Sequence, residues 1–188
     1  MRKFSVRPAV TLRGREFRGL RGWAGKPFHP PLTDIPIGAY ILAVIFDLIS
    51  LIGGPSHSWA RDFFRAATFS LIGGLVVSVF AALTGYWDWL KSSQRGTQAR
   101  RTINTHAWTM ICVTLLVIGD IIWRIANYSK HESTPPEIFI LSLVIAALTS
   151  FGATYGGSLV FDYGFNVETG GDHPVWHTSE KDVFPGQH

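Results

Sequence analysis

One cysteine, Cys112, stands in a chain of 188 residues. A single thiol excludes an internal disulfide and every Cys-x-x-Cys motif; inside an apolar run it reads as a small buried hydrophobe. The catalytic signatures are missing too. There is no phosphate-cradling glycine loop, no His-Glu-x-x-His pair and no nucleophile elbow, so no catalytic residue is assigned. Charge is scarce, at 16% of residues, and whole stretches have none of it. Ala66 to Trp87 and Ile138 to Phe161 hold no Asp, Glu, Lys or Arg. Buried helices of soluble proteins keep a polar stripe, and these stretches have almost none.

What is present fits that absence. Hydrophobic residues make up 47% of the chain and gather in four blocks. Besides the two uncharged blocks, Ile35 to Ile52 carries only Asp47, and Ala107 to Ile125 only Asp120 and Arg124. Each block is close to the roughly 20 residues that a spanning helix needs. The fold class expected is all-α integral membrane: a four-helix transmembrane bundle over residues 34–161, with a basic arm (1–33) and an acidic tail (162–188). No internal repeat and no low-complexity tract is evident.

Charge placement orients the bundle. The arm carries eight Lys and Arg residues against Glu16, and the connection between the second and third blocks carries Lys91, Arg95, Arg100 and Arg101 without an acid. Basic connections stay in the cytoplasm, which places both termini inside. No cleavable signal peptide is expected before the first helix, because residues 1–33 lack an apolar core ahead of a cleavage site. The arm either lies on an anionic membrane surface, each Arg adding about 1 kcal/mol, or is a disordered anchor. The charge excess is what topology requires in any case, so no nucleic-acid partner is inferred.

Polar residues then collect at the two ends. His29, Asp34, Trp87, Asp88, Trp89, His106 and the Gly156-Gly157 pair come to the cytoplasmic end. Pro30 and Pro31 disfavour helical angles before them, so His29 is expected on an extended lead-in. From there its ring folds inward and shares an interior space with His106, lined by Gly156 or Gly157. Toward the other end lie Asp47, Asp120 and Arg124, with Arg61 and Arg65 at the start of the second helix. Charges at this depth are costly and should pair. Arg124 follows Asp120 by four residues, in the favourable acid-first order. A fixed ion-pair cluster is expected ahead of a proton or ion path, with Asp120→Leu costing roughly 3–5 kcal/mol by stranding an arginine.

The segments HPPLTDIPIGAY, GYWDWL, the one around His106, and YGGSLVFDYGFNV resemble the bacterial membrane-protein family designated domain of unknown function 2231, over roughly residues 26–167. The resemblance implies a four-helix protein of the bacterial inner membrane and supplies no reaction. Some relatives carry a Rieske iron–sulfur domain, which implies redox surroundings. Such a centre needs two Cys and two His, and residues 162–188 contain no Cys, so any Rieske partner is a separate chain.

Paired histidines in a membrane bundle suit a b-type haem, since neutral imidazole is a good iron ligand. His29 and His106 are the expected ligands, with Gly156, Gly157 and Trp89 beside the cofactor. Against this, both histidines could merely cap helix starts, and Gly152-xxx-Gly156 is a common helix-packing device. The alternative function is a non-catalytic accessory or assembly subunit of a larger membrane complex. His173 and His177 are read as tail residues because Pro174 lies between them; His57 and His131 receive no role.

Overall fold

The computed structural model describes residues 27–92 and 94–165. The basic arm up to residue 26 and the tail from residue 166, with His173 and His177, lie outside the described residues. Four helices follow in order: α1 (His29–Gly53), α2 (Ser58–Ser92), α3 (Gln98–Ala126) and α4 (Pro136–Phe161). All are long and apolar enough to cross a membrane. Helices α1, α2 and α3 exceed their apolar blocks by between about two and four turns, and α4 by two residues. The 35-residue α2, about 50 Å long at 1.5 Å per residue, projects furthest. Its last turns carry Trp87 with the Lys91 ammonium 5.7 Å from the ring, at the depth where aromatic belts form.

Local chemistry sets the boundaries. Gly54 at φ 63 ends α1, its N–H closing on the Ser50 carbonyl at 3.1 Å. Thr97 starts α3, its hydroxyl accepting from the Arg100 N–H at 3.1 Å. Pro135 and Pro136 lead into α4. At α1 the expected extended lead-in is corrected. Phe28 is already in the right-handed helical region (φ −86, ψ −35), and His29 is the first residue of the helix itself. The prolines fall in the first turn, where their missing N–H has no partner to lose.

The helices form a closed ring: α1 packs on α2 and α4, and α3 on the same two. Short connections explain it, since they make consecutive helices antiparallel neighbours. Helices α1 and α3 are therefore diagonal partners, and both begin at the same end. The core between them is Tyr40, Ala43, Ala67, Leu71, Val113, Val117, Ile121 and Ile145. Leu42, Ile45, Leu48 and Ile52 of α1 and Leu115, Ile118 and Ile122 of α3 stay exposed, as lipid-facing residues should, and Cys112, expected to be buried, is exposed on α3 with them.

Buried positions recur in register between the two hairpins, a repeat of the inward helix face rather than of the sequence. Count from His29 in α1 and His106 in α3. Pro36 and Val113 stand 7 residues on, Tyr40 and Val117 11, Ala43 and Asp120 14, Asp47 and Arg124 18, and all are buried. Helices α2 and α4 match likewise, with Leu71 against Ser142, Ser78 against Thr149 and Ala81 against Gly152, again all buried. Hardly any pair keeps its residue type. The two hairpins share a packing register at these positions with different side chains.

Candidate functional site: two imidazoles at one end, an ionic cluster at the other

Each hairpin contributes one histidine by the same device. His29 Nδ1 lies 2.8 Å from the Ala81 carbonyl of α2, and His106 Nδ1 lies 2.8 Å from the Gly152 carbonyl of α4. A carbonyl only accepts, so Nδ1 carries the hydrogen in both rings. Four residues past each carbonyl, one helical turn on, stands a glycine that houses the ring. A Cβ on Gly85 would come within 2.6 Å of His29 Cε1, and a Cβ on Gly156 within 3.2 Å of His106 Cε1. The ring centroids are 6.3 Å apart with planes at 79°.

The two imidazoles and Gly156 thus meet inside the bundle. Gly157 points elsewhere: the atom nearest its added Cβ is on Phe161, at 4.0 Å. Asp34 is exposed. Trp89 serves as a tie between α2 and α3, its indole N–H donating to Asn104 Oδ1 at 2.8 Å. Arg100 lies over the same ring at 5.2 Å and donates to the Trp89 carbonyl at 2.7 Å. Two participants had no signature in the sequence. Ala81 acts through its backbone oxygen alone, and Gly85 stood in an aromatic-rich stretch that reads as a membrane-interface belt.

The far end is built on the Asp47–Arg124 pair, five turns from the histidines on the same faces of α1 and α3. Arg124 and both acids have no exposed side-chain surface. The guanidinium grips Asp47 with both prongs, NH1 to Oδ1 at 3.0 Å and NH2 to Oδ2 at 2.6 Å, while Nε donates to Asp120 Oδ1 at 2.8 Å. Asp47 also accepts from the Ser142 hydroxyl at 2.5 Å and the Thr134 hydroxyl at 2.9 Å. Ser142 Oγ in turn accepts from Arg124 at 3.0 Å. Thr134 is held in place by its N–H to Ser50 Oγ at 2.8 Å, which shows that the α1–α2 and α3–α4 connections share this end.

Asp47, Asp120 and Arg124 therefore come together, whereas Arg61 and Arg65 stand outside the cluster. Arg61 pairs with Glu132 at 3.0 Å in a half-exposed position, and Arg65 lies over the Tyr128 ring at 5.3 Å. The outer arginines reach water and connection residues, so they need no buried acid. Ser142 and Thr134 were missed as cluster members. Ser142 is one of three serines in the charge-free fourth block, so it did not stand out, and Thr134, in a connection, offered no signal.

Comparison with known proteins adds a family. The model described as "Predicted membrane protein (DUF2231)" matches residues 25–169. No curated protein and no solved structure matches the chain.

Proposed function

The chain belongs to the DUF2231 family of predicted membrane proteins, whose description names no reaction, and from that premise we propose a redox-associated membrane subunit in which His29 and His106 hold the iron of a b-type haem. One observation carries this reading. Both rings donate Nδ1–H to a backbone carbonyl, which is how metal-ligating histidines are usually oriented, with Nε2 left as the ligand atom. The spacing agrees. Metal–nitrogen bonds of about 2 Å on each side put the centroids of opposed imidazoles roughly 6 Å apart, against 6.3 Å observed. His29 and His106 are the two side chains that would hold the iron.

A bound haem would supply reversible one-electron transfer. The chain's own part is to fix the two rings, hold their tautomers and keep bulk water from the pair. The acceptor carbonyls of Ala81 and Gly152 belong to the neighbouring helices α2 and α4, so each ring is locked by its own hairpin and the pair is preformed by the bundle. Electrons would then come from and go to a separate partner in the same membrane complex.

The test is an absorption spectrum of the full chain purified in mild detergent from haem-replete cells. A Soret band is expected, and His29→Ala and His106→Ala should each abolish it or convert it to a high-spin form. A protein with no Soret band would leave the rings as a clasp between the hairpins and favour the accessory-subunit reading. The edge-to-face contact of the rings already suits that clasp.

We propose that the imidazole end lies at the inner face of the bacterial cytoplasmic membrane with both termini inside, a reading the basic bias of the arm and of the α2–α3 connection supports. In a Cys112→Ala background, single cysteines at Ser56 and Ser133 should react with a membrane-impermeant thiol reagent on intact cells. One at Arg95 should react only after lysis. The opposite pattern would invert the site.

A further inference from the structure

The ionic cluster carries an imbalance that its geometry resolves in one way. Two carboxyls and one guanidinium are fully buried together, and with every group ionised they sum to one uncompensated negative charge. An unpaired charge at this depth is not tolerated, and a carboxyl in that position neutralises instead. We infer that the cluster is a proton-binding site, with one proton held on Oδ2 of Asp120 while Asp47 remains the carboxylate partner of Arg124.

Donor counting selects the carboxyl. Asp47 Oδ1 accepts from Arg124 NH1 and Thr134 Oγ1, and Oδ2 from Arg124 NH2 and Ser142 Oγ. Four donors, two of them on a cation, stabilise the charged form and leave little room for a proton. Asp120 accepts only at Oδ1, from Arg124 Nε. Its Oδ2 is buried without a hydrogen-bond partner. Ser142 cannot supply one, because its single hydroxyl hydrogen is directed at Asp47.

The groups facing the site from each helix are on the page: Asp47 from α1, Arg124 from α3, Ser142 from α4, and from α2 the ring of Phe64, 5.4 Å from the guanidinium. Among the described residues, none of these groups brings a second cation. The proton makes the site neutral, and it can leave only if a positive charge arrives or the Asp47–Arg124 grip opens. That coupling is the property of a proton carrier rather than of a fixed salt bridge. The inference does not depend on the haem proposal, since it concerns the other end of the bundle.

Infrared spectroscopy of the full chain in detergent or lipid nanodiscs tests it. The wild-type protein at neutral pH should show the carbonyl stretch of a buried protonated carboxyl. Asp120→Asn, which mimics the neutral acid in shape and in its single acceptor oxygen, should lose that band yet melt with the wild type. Absence of the band from the wild type, or its survival in Asp120→Asn, would overturn the inference. So would an Asp120→Asn protein that fails to fold or melts as low as Asp120→Leu, because a site that already holds a neutral acid should accept the amide.

Discussion

Asp47→Leu is expected to destabilise the protein by about 3–5 kcal/mol, the cost of removing one partner from a buried ion pair. The change strips the guanidinium of both its bidentate bonds and leaves the Ser142 and Thr134 hydroxyls without their acceptor. Asp120→Leu should cost less, about 1–3 kcal/mol, the penalty for one unsatisfied buried donor. Only Arg124 Nε loses its bond there, while Asp47 keeps its grip. This order reverses the emphasis of the sequence reading, which took Asp120 as the natural partner because it sits one turn before Arg124. Equilibrium unfolding of both variants in mixed micelles measures the order directly. Equal losses, or a larger loss for Asp120→Leu, would mean that the two-pronged contact across the bundle is not its dominant tie.

The reason that order was hidden lies in how far a contact reaches along the chain. Asp120 and Arg124 are neighbours on any helix, so their bond was legible from spacing alone. The stronger contact joins residue 47 to residue 124 across the diagonal, and nothing in a linear sequence specifies which faces of α1 and α3 meet. The helices themselves were legible for the opposite reason. A run of some 20 residues without charge has few folded forms other than a spanning helix. Membership of the site followed the same division. His29 and His106 were visible because each stands just ahead of an apolar block, where an ionisable ring is conspicuous. Their anchors, the carbonyls of Ala81 and Gly152, were invisible because every residue carries a carbonyl.

The repeat makes the same point about packing. Buried positions at 7, 11, 14 and 18 residues past each histidine recur in both hairpins, yet Tyr40 answers to Val117 and Asp47 to Arg124. A bundle core constrains which positions face inward and the total volume there more than the residue at each.

Gly85→Ala should dismantle the imidazole pair while sparing the fold. The added Cβ would lie 2.6 Å from His29 Cε1 and 2.9 Å from Nδ1, distances at which one atom must move. The imidazole is the end of a side chain with two torsions, so the ring swings away and the helices stay. In leaving, it gives up the bond to the Ala81 carbonyl and its place opposite His106. The lost bond and the crowding together should cost about 1–3 kcal/mol, well short of the loss expected at Asp47. Gly156→Ala is the control, because its Cβ would stand 3.2 Å from His106 Cε1 and ask for a shift of only a few tenths of an ångström. Diethyl pyrocarbonate modification followed by peptide mass analysis reads the outcome. His29 should become reactive in Gly85→Ala and stay protected in the wild type and in Gly156→Ala, where any Soret band should also persist. Continued protection of His29 in Gly85→Ala would mean that the helix, not the ring, gives way, and that the glycine notch does not hold the imidazole in place.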